Sequence, residues 1–150
     1  MKLFGLYKSV VVSVVLIGVV GLLACSVGNE GQVPLTTSSA EAREHFVQGR
    51  ALLEKLRAQE AVPHFERAVK ADPSFAMAHL YLASAQQTPK QFFESYHRAV
   101  TLIDNVSKGE RLWILGFQAG VNGDSRKQEQ YYQRLVEAYP NDVRAVTLLG

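Results

Sequence analysis

The sequence predicts an all-α array of stacked helical hairpins, and three observations predict it. Gln48-Gly49, Ala61, Phe65 and Pro73 recur as Leu115-Gly116, Gln128, Tyr132 and Pro140, every counterpart at one constant displacement along the chain. A middle copy lies between them, with His79, Leu82, Ala83 and Gln86 each 34 residues after His45, Gln48, Gly49 and Leu52. Start and stop signals for helices fall at the edges of these units. A period of about 34 residues marks helical hairpins, which bury their apolar faces only by stacking on neighbours.

The chain opens differently. Lys2 and Lys8 precede an uncharged apolar run from Val10 to Ala24, and no acidic residue occurs before Glu30. A basic start and an apolar middle describe a secretory signal, and the run falls short of the ~20 apolar residues that usually span a bilayer. Leu22-Leu23-Ala24-Cys25 resembles the lipobox of bacterial lipoproteins, although Leu23 is bulkier than usual for its position. The resemblance implies a signal peptide over residues 1–24 and a lipidated Cys25 at the start of a linker over residues 25–39. Cys25 is the only cysteine, so no internal disulfide forms. Buried acyl carbons contribute ~0.8 kcal/mol each, so several chains on one cysteine make a stable anchor. Ser26 after the cysteine implies the outer membrane if the cell is Gram-negative. The competing reading is an uncleaved first segment that spans the membrane as part of a sensor.

From Ser26 to Ser39 the sequence is small and polar, with Gly28, Gly31, Pro34 and the run Thr36 to Ser39. It lacks apolar periodicity and reads as a flexible tether. With Lys2 and Lys8 removed alongside the signal, 14 basic residues face 14 acidic ones. Zero formal charge argues against nucleic acid and against attraction to anionic lipid.

The hairpins follow over residues 40–150, with repeats near 42–75, 76–108 and 109–142. Ser38-x-x-Glu41, Ser107-x-x-Glu110 and Ser125-x-x-Gln128 have capping-box spacing at expected helix starts. Thr88-Pro89 reads as a cap followed by proline in the first turn, and Gly123-Asp124 as a stop and turn. Pro63 is expected to bend the second helix of repeat one unless that helix starts as late as about Glu60. Aligning Tyr96 with Phe65 requires three residues fewer near Thr88-Pro89, so the middle repeat is contracted, and two extra residues before Gly109 nearly restore the phase. Gly49, Ala83 and Gly116 are expected to face Ala61 or its equivalents where paired helices approach, with Phe65, Tyr96 and Tyr132 filling the space between hairpins. Val143 to Gly150 begin a fourth first helix, in which Val146, Leu149 and Gly150 match the motif. Its uncovered apolar edge is expected to favour self-association.

These residues resemble the tetratricopeptide repeat family, whose pattern runs W-x2-L-G-x2-Y, then A-x3-F, then P. The resemblance covers roughly Ala42 to Gly150, but no repeat is complete. His45, His79 and Leu112 stand in place of the Trp, Gln48 in place of the Leu, and Gln86 and Ala119 in place of the Tyr. It implies that first helices line a groove, with Phe46, Leu80 and Trp113 at one groove position of successive repeats and Arg50, Ser84 and Phe117 one turn later. Phe46, Leu80, Trp113 and Phe117 are then expected to form an apolar strip for an amphipathic helix or extended apolar peptide.

Signals for chemistry are sparse. No two of His45, His64, His79 and His97 are three or four apart, and a second cysteine is lacking, so no metal site is expected. Asp104, Asp124 and Asp142 sit where acidic residues cap helices. No catalytic motif or cofactor signature is present. The expectation is a lipid-anchored, non-catalytic scaffold of the bacterial cell envelope that binds a protein or peptide and no nucleic acid. The alternative is the regulatory or substrate-docking N-terminal part of a longer protein, truncated at Gly150.

Overall fold

The computed structural model describes residues 31–149, and the following concerns those alone. The expected signal peptide over residues 1–24, the lipid site at Cys25, tether residues 26–30 and Gly150 lie outside them. All regular structure among the described residues is helical. Helices α1 (Ala40–Leu53) and α2 (Ala58–Ala71) form the first hairpin, and α3 (Ala76–Ala85) and α4 (Pro89–Thr101) the second. A 3-10 turn at Ile103–Asn105 leads to the third, α5 (Lys108–Val121) with α6 (Ser125–Ala138), and then to the short α7 (Val143–Thr147). The two helices of each hairpin pack together; α2 against α3 joins the first hairpin to the second, α3 and α4 against α5 join the second to the third, and α6 packs against α7.

The contraction falls on α3, which has 10 residues where α1 and α5 have 14. It is buried at Ala76, Met77, Ala78, Leu80, Leu82, Ala83 and Ala85, on all sides rather than along one stripe, as suits a helix enclosed by neighbours. The second helices are amphipathic by contrast, and α2 buries only Ala61, Phe65 and Ala68.

Helix starts follow the capping chemistry with two shifts of one residue. Ser107 and Glu110 form both halves of a capping box on α5, and Thr88 caps α4 with Pro89 in the first turn. Ser39, not Ser38, caps α1 by accepting from the Ala42 amide. Asp124, not Ser125, caps α6 by accepting from the Lys127 amide. Its carboxylate also reaches Lys127 Nζ at 2.8 Å and complements the positive end of the helix, which a serine does not. Helix α2 begins at Ala58, two residues before Glu60, and is not broken at Pro63. The missing amide of Pro63 leaves only the carbonyl of exposed Gln59 without an intrahelical donor, one turn from the helix start.

Gly49 and Gly116 serve a different contact from the one expected. A Cβ on Gly49 would lie 2.8 Å from Phe65 Cε1, and one on Gly116 2.2 Å from Tyr132 Cε1. Each glycine therefore makes room for the ring of its own hairpin, and the ring rather than Ala61 or Gln128 is its nearest neighbour. This explains why Gly and the aromatic recur together in the motif.

The two long hairpin turns share a geometry that the sequence disguises. At the end of α5, Gly123 has φ +75°, with Gly123 N–H donating to Gly120 O and Asp124 N–H to Ala119 O. This pair of bonds is a Schellman stop with glycine in the left-handed position. Leu56 holds the matching position of the first hairpin; it has φ 59° and donates to Leu53 O, while Arg57 donates to Leu52 O. Leu56 is 93% exposed, so no packing offsets a conformation that disfavours side chains by ~1–2 kcal/mol. Leu56→Gly is expected to stabilise the chain by about 1 kcal/mol and Gly123→Ala to destabilise it by about as much. Urea titration of both variants checks the opposite signs.

Residues 32–37 depart from the expected tether. Val33 is buried, and its N–H donates to Asp142 Oδ2 at 3.0 Å. The Thr36 N–H donates to Glu110 Oε1 at 2.9 Å, and its hydroxyl donates to Glu110 Oε2. The Thr37 hydroxyl donates to Asp72 Oδ2 at 2.5 Å. These side chains lie where repeats join, so the segment runs back along the array, from the start of α7 past α5 to the end of α2. Its small polar residues signal flexibility in the sequence because their partners are 35 to 109 residues away.

Near the same junction, burial pushes the His79 imidazole below its ordinary 6.5, aided by Arg98 and only partly opposed by the Pro73 carbonyl and Asp72. The unfolded chain therefore binds this proton more readily than the folded one. Stability is expected to fall as pH drops through 6.5 and to level off below the folded value. Chemical denaturation across that range should show a smaller loss for His79→Gln.

Candidate interaction site

A cleft of about 470 Å³ lies among the first helices of the hairpins. The end of α1 supplies Arg50, Leu53 and Glu54, α3 supplies Tyr81 and α5 supplies Trp113. The stub α7 and its following residue close the other side with Val143, Arg144, Thr147 and Leu148. Four repeat units thus converge on one space, which local sequence does not reveal.

The aromatic part is a connected stack. Tyr81 and Trp113 have ring centroids 6.2 Å apart, and Tyr81 meets Phe46 edge-on at 5.1 Å and Phe65 at 5.8 Å. Phe75, just before α3, lies 4.9 Å from Phe46 beneath them. Burial raises the Tyr81 hydroxyl well above its ordinary 10, which keeps it a neutral donor. Charge stands on the walls. The Arg50 guanidinium lies 5.6 Å from the Phe46 ring centroid and 3.7 Å from Glu54 Oε1. Across the cleft, Arg144 holds both oxygens of Asp142, at 2.8 and 2.7 Å. An apolar or aromatic side chain fits the floor, and the guanidinium groups suit carbonyl or carboxylate oxygens.

The strip expected from sequence is not an open surface. Phe46 and Leu80 are 1% exposed and Trp113 7%, because the neighbouring hairpins close over them. Arg50 and Trp113 do come together at the cleft. Ser84 is exposed and bonds back to Leu80 O at 3.1 Å. Phe117 is half-buried elsewhere, 6.2 Å from Phe92 and 6.1 Å from Tyr96. Tyr81, Glu54 and Arg144 join the site without a signal in the motif. Tyr81 sits one residue beyond the expected groove register, and Arg144 reaches the cleft only through the short α7.

His45 and His64, on the two helices of the first hairpin, meet with ring centroids 5.9 Å apart, each with a buried Nδ1 lacking a hydrogen bond. Among the described residues no group of three or more His, Cys, Asp or Glu is placed to hold a metal ion. No described helix is long and apolar enough to cross a membrane.

Residues 46–86 match the tetratricopeptide repeat family, the stretch from within α1 to just beyond α3. The type IV pilus assembly protein PilF of Pseudomonas aeruginosa is 32% identical over 142 residues, covering 87% of this chain and 54% of that protein. The chain thus spans about half the length of that relative. Among solved structures, the first TPR of Spaghetti (RPAP3) bound to the HSP90 peptide SRMEEVD is similar at 21% identity, with a TM-score of 0.49, covering 75% of this chain and 93% of that one. By sequence, the chain is similar to tetratricopeptide repeats over residues 46–86 and to a pilus assembly protein over most of its length.

Proposed function

We propose that the chain is a non-catalytic scaffold that binds a protein or peptide segment in the cleft between its first helices, in support of type IV pilus assembly. The observation that carries this reading is an aromatic floor of Tyr81 and Trp113 between walls bearing Arg50 and Arg144. Concave sites with an apolar floor and a few placed polar groups suit a segment that inserts one large side chain and offers oxygens to the rim. The tetratricopeptide match supports recognition over catalysis, and the similarity to PilF supports the process. Of the groove candidates, Arg50 and Trp113 contact the partner, while Phe46 and Leu80 support the floor from beneath. Ser84 and Phe117 lie outside the contact.

The site of action is the bacterial cell envelope, with Cys25 carrying the lipid anchor. Cys25→Ala should abolish acyl labelling; labelling that persists would disprove the anchor. For the cleft, Thr147→Trp fills the space from an exposed position without touching the core. In cells lacking this protein, the wild-type chain should restore surface pili and Thr147→Trp should not, at equal protein levels. Full restoration by Thr147→Trp would rule the cleft out. A second reading, in which the hairpins dock substrates or regulators for a longer protein, draws on the 54% coverage of the relative.

A further inference from the structure

We propose that residues 32–37 are a clasp that holds α7 in place as the outer wall of the cleft, so that releasing the clasp opens it. This concerns the shape of the cleft and stands whether or not a partner enters. Helix α7 has five residues, Val143–Thr147, too few to persist as a helix by themselves. Of its residues only Ala145 is buried, while Val143 is 77% and Val146 46% exposed. What fixes its start is Asp142, a carboxylate only 1% exposed.

Asp142 joins the clasp to the cleft. Its Oδ1 accepts from the Arg144 N–H at 3.1 Å, which caps α7, and both oxygens hold the Arg144 guanidinium. Its Oδ2 also accepts from the Val33 N–H, and Gln32 Oε1 receives Arg144 at 3.3 Å. Clasp, cap and cleft-lining arginine therefore share one carboxylate.

The clasp is itself secured away from α7. Glu110 is 0% exposed and accepts from the Thr36 amide, the Thr36 hydroxyl and the Ser107 amide. The Ser107 hydroxyl donates to Pro34 O at 3.1 Å. Val33 fits so closely that a Cβ on Gly109 would lie 2.9 Å from its Cγ1. The capping box of α5 thus doubles as the receptor for the clasp. In a simple solenoid each repeat contacts only its neighbours, whereas here one segment links the end of α2, the start of α5 and the start of α7.

Trp113 is the only tryptophan and faces α7 across the cleft, so it reports the opening directly. In the full chain, residues 32–37 are replaced by Gly-Ser repeats of equal length. Acrylamide quenching of Trp113 and amide hydrogen exchange are then compared with the wild type. Quenching should rise about twofold and exchange over residues 143–149 about tenfold, with α1 and α2 changing less than about twofold. Unchanged quenching and exchange at α7 would overturn the proposal. So would a uniform rise over all helices, because the segment would then be a general stabiliser. Should the replaced chain fail to fold, Thr36→Val, which removes only the hydroxyl between Glu110 and Ser107, is read by the same two measurements. It should shift both in the same direction by a smaller factor, and no selective change at α7 would again overturn the proposal.

Discussion

Gly116→Ala is expected to destabilise the fold by about 2–3 kcal/mol, at the upper end for overpacking a helix interface. The added Cβ would lie 2.2 Å from Tyr132 Cε1 and 2.6 Å from its Cδ1. Tyr132 is 3% exposed, so its ring cannot swing into solvent without vacating the core. The hairpin must open instead, which loosens α5 against α6. Gly49→Ala makes the same error more mildly, at 2.8 Å from Phe65 Cε1, and should cost less. Pairing Gly116→Ala with Tyr132→Leu should recover part of the loss, because the smaller side chain yields the space. Urea titrations of Gly49→Ala, Gly116→Ala, Tyr132→Leu and the pair test the order, and equal costs at Gly49 and Gly116 would refute the contact argument.

Asp142→Ala should have a comparable or larger effect, about 3 kcal/mol, because it breaks a buried ion pair by removing one partner. Arg144, whose side chain is 22% exposed, loses both carboxylate bonds, and the Val33 N–H loses its acceptor. The α7 cap disappears in the same step. Asp104 is the internal control. It pairs with Arg111 at 2.6 Å but is 85% exposed, so solvent screens the interaction and replaces it. Asp104→Ala should leave the thermal midpoint nearly unchanged. A similar drop for the two variants would show that the burial of Asp142 is irrelevant.

What the sequence discloses follows from the range of each interaction. Hairpin periodicity, the Ser107-Glu110 capping box, the Thr88-Pro89 start and the Gly123 stop are encoded within a few residues. The contraction of the middle repeat is also visible, as missing residues, although not that α3 is shorter at both ends. The clasp cannot be read: Val33 to Asp142 spans 109 residues, and a Thr-rich segment looks the same whether or not carboxylates await it. A leucine such as Leu56 gives no sign of a left-handed turn, and only its register with Gly123 in the repeat betrays it. For the cleft, Arg50 and Trp113 are found through the family pattern. Tyr81 and Arg144 escape it because their placement depends on helix packing and on a five-residue helix.

Photocrosslinking in intact cells locates the bound partner on the array. A benzoylphenylalanine at position 143, a rim residue that is 77% exposed, reports the cleft without filling it, and the same probe at exposed positions 66 and 133 reports the faces of the second helices, α2 and α6. A discrete protein adduct is expected from position 143 and none of that mass from 66 or 133. Adducts from 66 or 133 alone would place binding on the second helices and contradict binding in the cleft.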